Sequence, residues 1–330
     1  MFKFLKVLKY DPIKPLAECN VLPILYFIQK EFPAEKNSFI NNKIISKSGI
    51  SFLPEPEHLL NRQKENGSWE YPGKVKDIRD TENYNQLETF RNIGILIEKY
   101  DFNNEDESTR RAADFLFTFQ TKEGDFRGIY GSQYATTYSA LISELLIKAG
   151  YEDDKRIDRS LLWLLSIRQN DGGWAIPLRT VNANYYDVVH SPELILPDSS
   201  RPFSHLITGM ALRAFAVSGK YRNLPEIKHA ARLLMSRFFK RDSYPDRNTP
   251  DYWIKFSYPF WFTDLLTSLD SLAKLGFSKN EPAIQKAIEW FVNVQDKDGI
   301  WRLKLLRGKD KHLNLWITLA IIRMFKAFYD

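Results

Sequence analysis

A single cysteine, Cys19, occurs in 330 residues. One thiol forms no internal disulfide, and it excludes every zinc site built on two or more cysteines. Histidine is scarce as well, with five residues and no His-x-x-x-His or His-Glu-x-x-His spacing, so neither a metal nor another cofactor is expected. Long apolar runs are missing: the greasiest stretch, Trp316 to Ile322, is far short of the roughly 20 residues that cross a bilayer. The opening MFKFLKVLKY is interrupted by Lys3, Lys6 and Lys9 and lacks the unbroken apolar core, ~7–15 residues, of a secretion signal. These absences predict a cytoplasmic protein. Phe2 to Tyr10 then reads as a packed or frayed terminus, or at most as a weak peripheral contact with a membrane surface. No charge sign dominates, since 47 basic and 41 acidic residues give a net +6 without blocks, and nucleic acid is not an expected partner. Nor does any window alternate with period two, which argues against a sheet.

What is present is a repeat. QKENGSW at Gln63 to Trp69, QTKEGDF at Gln120 to Phe126 and QDKDGIW at Gln295 to Trp301 share the pattern Gln-x-x-x-Gly-x-aromatic. From the chain's glutamine, glycine, tryptophan and phenylalanine content, chance would give about 0.03 matches, so three mark a true internal repeat. Two weaker copies fill the gaps: RQNDGGW, Arg168 to Trp174, has arginine in place of the glutamine, and RFFKRDSY, Arg237 to Tyr244, has lost the glycine. The starts lie 57, 48, 69 and 58 residues apart, the length of one helical hairpin per unit with loops of variable length.

The segments between motifs are of two kinds. Those preceding a motif are amphipathic, as in Ala112, Phe115, Leu116 and Phe119 or Ile284, Ala287, Ile288, Phe291 and Val292, and predict an outer helical layer. Those following a motif, such as FSHLITGMALRAFAV from Phe203 and HLNLWITLAIIRMF from His312, are apolar around most of their circumference and predict an inner layer. Prolines 202, 259 and 282 suit helix starts and glycines 150, 219 and 276 suit helix ends. Val21 to Phe32 reads as one more helix.

This repeat resembles that of the terpenoid cyclase and protein prenyltransferase superfamily, most nearly its squalene-cyclase-like branch, over residues 50 to 330. The resemblance implies an all-α fold, an α/α toroid of five to six helical hairpins over residues 51–330, with residues 1–50 as an N-terminal extension packed on it. It also implies that Gln63, Gln120 and Gln295 cap outer helices while Trp69, Phe126, Trp174 and Trp301 pack on such turns, which is a structural role. The superfamily's reactive motifs do not carry over. No Asp-x-Asp-Asp is present, since Glu152, Asp153 and Asp154 make only an acidic helix start, and Cys19 lies before the repeats, where it cannot complete an Asp, Cys, His zinc set.

If the hairpins close a ring, the inner helices run parallel and gather their N-termini at one rim. The first halves of those helices are polar, Thr89, Gln133 and Thr208 among them, and the second halves mostly apolar, which predicts a cavity wet at the mouth and greasy below. Long connections at the same rim add Arg201, Arg241, Lys255, Arg307, Lys309 and Lys311, a basic entrance. The expected ligand is an isoprenoid or similar lipid-like amphiphile, met by Tyr134, Tyr138, His205, Lys255, Tyr258, Trp261, His312, Trp316 and Arg201. Within Tyr252 to Leu266 and beyond, Trp261, Asp264, Ser268 and Ser271 fall on one predicted helical stripe. Asp264 and Glu88, near inner-helix starts, are the candidate proton donors. The competing reading makes Trp261, Tyr134 and Tyr138 core packing and the two acids stabilisers of helix starts. Two other functions fit the same fold: a carbohydrate-active enzyme with paired acids, and a non-catalytic scaffold.

Overall fold

The computed structural model describes residues 2–33, 44–73, 81–181, 183–306 and 310–330, so Arg307 and Lys309 of the expected entrance lie outside the described residues. Among these residues the chain is all-α. Its α-helices are α1 (Ile13–Ala17), α2 (Leu22–Glu31), α3 (Lys47–Ser51), α4 (Pro54–Asn61), α5 (Thr81–Tyr100), α6 (Glu107–Phe117), α7 (Thr136–Leu146) and α8 (Lys155–Ser166). They continue with α9 (Pro177–Thr180), α10 (Tyr185–His190), α11 (His205–Val217), α12 (Pro225–Ser236), α13 (Leu265–Lys274), α14 (Pro282–Asn293) and α15 (Leu313–Tyr329). Short 3-10 and π segments accompany them, and β structure among the described residues is confined to isolated bridges. Two units are distinguishable: one of Met1–Leu53, Met235–Arg241 and Thr249–Asp330, the other of Pro54–Leu234 and Asp242–Asn248.

The two kinds of helix expected from periodicity differ in burial. Helix α14 starts on Pro282, whose missing N–H would have no intrahelical acceptor in the first turn. Of its twelve residues only Ile284, Ala287, Ile288 and Phe291 are buried, at i, i+3, i+4 and i+7. Covering Ile284, Ile288 and Phe291 contributes roughly 1.5–3 kcal/mol each and fixes which face turns inward. Helix α11 is the opposite case, with twelve of thirteen residues buried, and α7 buries ten of eleven. Helices covered on nearly all sides are the inner layer. In the larger unit α7 lies between α5 and α11 and carries α8 on its outside; in the other, α13 packs on α15 and α15 on α2.

The repeated motif ties each hairpin to its successor through one set of bonds. Gln63 Nε2 donates to Gly67 O at 3.0 Å and to Ser108 O at 2.8 Å in the first turn of α6, while its Oε1 accepts from Arg111 Nη2 at 3.0 Å. Gln120 repeats this with Gly124 O at 3.0 Å, Arg156 O at 2.7 Å and Arg159 Nη2 at 3.0 Å. Gln295 donates to Gly299 O at 3.1 Å and Tyr10 O at 3.0 Å, and accepts from Tyr10 N at 3.1 Å. The segment leading into α1 thus occupies the position that the next outer helix holds elsewhere. Phe4 and Leu8 of that N-terminal segment are buried.

The aromatic end of the motif grips the following inner helix. The backbone N–H groups of Trp69, Phe126, Trp174 and Trp301 donate to Thr89, Ser139, Thr208 and Thr318 at 3.0, 2.9, 2.9 and 3.1 Å. The three indoles donate to Leu59 O, Leu164 O and Phe291 O, each at 2.7 Å. Every such hydroxyl sits in the first half of its helix, so in the larger unit α5, α7 and α11 run the same way relative to their turns. Thr89 and Thr208, expected at a cavity mouth, serve these turns instead. The degenerate copies keep part of the scheme: Arg237 Nη2 reaches Arg241 O, four residues on as a motif glutamine would, and Gln169 donates to Asp198 O and Arg201 O at 2.9 Å each.

One expected helix is shorter than predicted. Helix α13 begins at Leu265, because Asp264 closes a capping box with Thr267 and ends the helix there, so Trp261 and Thr263 precede it and share no helical stripe with Ser268. Ser268 and Ser271 bond back to Asp264 O at 2.7 Å and Thr267 O at 2.9 Å, which spends their hydroxyls within the helix. Upstream, Phe256 pairs with the neighbouring connection through Lys304 O at 2.9 Å and Leu306 N at 2.7 Å.

Candidate functional site

In the larger unit three rings meet between the middle of α5 and the start of α7. Tyr138 on α7 lies edge-on to Phe90 of α5 at 6.0 Å and to Tyr130 at 5.7 Å. Both tyrosines are half-buried and Phe90 is buried. Tyr130 sits in a tight turn between Gly128 and Gly131, whose backbones bond to each other at 2.9 and 3.2 Å. The turn is clamped on both sides. A Cβ on Gly128 would stand 2.7 Å from Asn83 Oδ1 and 3.0 Å from Gln86 Oε1, and one on Gly131 would stand 2.7 Å from Val189 O. Only glycine permits this approach.

The long connection 175–201 is built rather than loose. Leu178, Val188 and Val189 form a small core of their own with Ile176, Ala183 and Ile195 packed on it. Gln133, fully buried, donates to Val188 O at 3.1 Å and Glu193 O at 2.7 Å and accepts from Ile195 N at 2.9 Å. This glutamine, expected as a polar mouth residue, therefore fastens the connection beside the three rings.

His205 opens α11 and is 4% exposed, with Nδ1 3.2 Å from Asp242 Oδ2. The same Asp242 oxygen accepts from Ser204 Oγ at 2.9 Å and Leu206 N at 3.0 Å, and Asp242 Oδ1 accepts from Tyr244 N at 3.3 Å. Asp242 thus caps the helix from outside, with the histidine ring beside it. Sequence reasoning missed it, since it lies in the most degenerate motif. Replacing Asp242 with alanine is expected to cost about 1–3 kcal/mol in equilibrium denaturation, because several buried donors lose their acceptor together. Beside it, Tyr244 donates to Pro202 O at 2.6 Å; burial first, with the carboxylates of Asp171 and Asp242 adding to it, pushes its hydroxyl up to about 12. Arg201 is exposed, and Arg179 is clasped by Asp246 at 2.7 and 2.8 Å.

Tyr134 and Tyr138 do not share a surface. Tyr134 packs on Trp163 of the outer helix α8 at 5.3 Å and donates to Glu123 Oε2 at 2.6 Å under the guanidinium of Arg127. Burial, the bond to Glu123 and that carboxylate's charge push its hydroxyl up to about 12. Tyr134, Trp163 and Glu123 line, with Leu196 and Pro197, an open cleft of about 380 Å³. Glu88 on α5 faces Arg91 at 3.5 Å and Asn92 at 3.4 Å.

In the other unit Tyr258 and Trp316 stack at 5.2 Å and 7°, with Phe260 edge-on to Tyr258 at 5.2 Å and Phe27 edge-on to Trp316 at 6.2 Å. Tyr258 and Trp316 are buried, so these rings cover one another as core. Trp261 and His312 are half-buried, and the His312 backbone N–H donates to Asp310 at 2.8 Å. Lys255 leans on the Tyr252 ring at 4.3 Å with Asp251 3.9 Å away. Asp264 accepts Thr267 N at 2.8 Å as the cap of α13.

The second halves of the inner helices, expected to be mostly apolar, also hold charge. Near the far ends of α5, α7 and α11, Glu144 meets Arg213 at 2.8 Å and Lys148 at 2.8 Å, and Lys148 meets Glu98 at 2.7 Å. Burial alone would raise the Glu144 carboxyl, but the charges of Arg213 and Lys148 outweigh it and hold it at about 2. Two anions and two cations thus neutralise each other between inner helices.

Residues 88–191 match the family model described as squalene-hopene cyclase C-terminal domain. The squalene–hopene cyclase of Bradyrhizobium diazoefficiens is 27% identical over 151 residues, which is 45% of this chain and 21% of that enzyme. The chain therefore spans about one fifth of the length of that relative. Among solved structures, a protein from Actinoplanes aligns over 86% of this chain and 100% of its own, with 14% identity and a TM-score of 0.41. The type II terpene cyclase MstE from Scytonema aligns over 82% of this chain and 95% of its own, with 12% identity and a TM-score of 0.32. Through residues 88–191, the stretch that holds the three rings and most of the built connection, the chain is similar to squalene-hopene cyclase C-terminal domains, and its likeness to the terpenoid-cyclase-like α/α-toroid superfamily rests there.

Proposed function

We propose that this protein binds an isoprenoid or similarly amphiphilic small molecule against the rings of Phe90, Tyr130 and Tyr138. The observation that carries the reading is the placement of two half-buried tyrosines edge-on to each other, Tyr138 at the start of α7 and against Phe90, Tyr130 on a turn clamped from both sides. Aromatic edges and faces offer an apolar, polarisable wall to an unsaturated chain, and a partly covered ring gains more from a ligand than a ring already in the core. The family matched by this stretch is named for squalene, an isoprenoid hydrocarbon, which agrees in chemical class.

The binding reading needs no acid at the rings; of the two expected proton donors, Asp264 is engaged as the cap of α13 and Glu88 with Arg91 and Asn92. Titration calorimetry with farnesol and with farnesyl diphosphate tests the reading. At least one is expected to bind, and Tyr138→Ala is expected to weaken it about tenfold, the loss of roughly 1.4 kcal/mol of ring contact. Absence of binding by both ligands would refute the proposal.

A further inference from the structure

The glutamines of this chain divide sharply. Gln63, Gln120, Gln133, Gln169 and Gln295 each place their side-chain amide in two or more hydrogen bonds. Gln86 on α5 is fully buried, yet neither its Oε1 nor its Nε2 meets a partner among the described residues. On α7, the buried hydroxyls of Thr136 and Thr137 are likewise without partners there. A buried amide left unpaired bears the full cost of its lost hydration, and such groups are rare in folded chains. Their persistence points to a partner supplied from outside.

The position of Gln86 says what kind of partner. It precedes Phe90 by one helical turn, so the two share a face of α5. Phe90 touches Tyr138, Tyr138 touches Tyr130, and the turn carrying Tyr130 brings Gly128 against Gln86 Oε1. The amide therefore lies at the edge of the ring set. A carboxamide presents a donor and an acceptor side by side, which suits a neutral group able to do both. A diphosphate instead calls for several charge-assisted donors. The nearby cation, Arg127, is already held by Asp125 at 2.9 and 3.0 Å.

We infer that Gln86 recognises a neutral hydroxyl or amide head group, as in a prenyl alcohol, whose chain lies along Phe90, Tyr130 and Tyr138. This rests on the amphiphile-binding reading above and narrows it to neutral ligands. The test compares farnesol, farnesyl diphosphate and farnesene on the full-length protein and on Gln86→Leu. Farnesol is expected to bind at least tenfold more tightly than the diphosphate. The substitution is expected to weaken farnesol at least tenfold, to leave farnesene within about twofold, and to raise the melting temperature, since it removes an unpaired buried amide. If an isoprenoid binds but Gln86→Leu changes farnesol no more than farnesene, or lowers the melting temperature, the inference is wrong while the broader reading stands. If none of the three binds, both fall.

Discussion

Arg213→Met is expected to lower stability by about 3–5 kcal/mol, because it leaves a buried carboxylate short of one of its two cations. Glu144 is 5% exposed and Arg213 6%. With Arg213 gone, Lys148 is the cation left against Glu144, at 2.8 Å, while it also meets Glu98 at 2.7 Å. The double variant Glu144→Leu with Arg213→Met is expected to lose clearly less than the sum of the single losses, since apolar side chains replace both members of the pair together. Urea denaturation of the four proteins measures this cycle, and a loss below 1 kcal/mol for Arg213→Met would show the pair to be solvated. The pH dependence follows in sign. The folded chain holds Glu144 at about 2 against an ordinary 4.5, so this group's contribution is present above about pH 4.5 and is lost as pH falls toward 2. Its size is about 3 kcal/mol. Lys148 is raised, with burial opposing and Glu144 and Glu98 prevailing, so its contribution is complete below pH 10.5 and declines above it.

Gly124→Ala is the second large effect. Gly124 has φ +113°, and a Cβ there would stand 2.4 Å from Arg159 O and 2.8 Å from its carbonyl carbon. The neighbour is backbone in the first turns of α8, so the turn and the helix must part, which also strains the bonds from Gln120 to Arg156 O and from Arg159 to Gln120. Backbone strain alone costs about 1–3 kcal/mol, and with the lost bonds the expected total is about 3–5 kcal/mol. Gly67 and Gly299 share the geometry, with contacts of 2.1 Å to Arg111 O and 2.4 Å to Asp11 O. Gly94, inside α5, is the internal control: its nearest neighbour would be Leu145 Cδ2 at 3.8 Å. Gly94→Ala is expected to be neutral or to stabilise by up to about 1 kcal/mol. Denaturation midpoints that rank Gly124→Ala no worse than Gly94→Ala would contradict the proposed role of the motif.

Much of the architecture was legible because it is periodic. The spacing of Ile284, Ala287, Ile288 and Phe291 and the unbroken apolarity after Phe203 locate an outer and an inner helix to within a few residues of α14 and α11. The motif turns were legible because glycine and glutamine are uncommon enough for a repeat to stand out. Tyr138 was found for the same reason, by its place at an inner-helix start, but that rule equally selected Tyr134, which turns to an outer helix instead. Trp261 was misplaced because a helical stripe was projected through Asp264, whose bond to Thr267 ends the helix. Gln86 and Asp242 carried no sequence signal. One matters by what it fails to touch, the other by a contact from a distant segment, and neither property exists before the chain folds.

The most direct measurement is photo-cross-linking with a farnesol bearing a diazirine near its chain terminus, followed by peptide mapping. Labelling concentrated on peptides containing Phe90, Tyr130 or Tyr138, and competed by unlabelled farnesol, is the predicted result. Labelling centred on the cleft of Tyr134 and Trp163, or spread over the surface without competition, would contradict it.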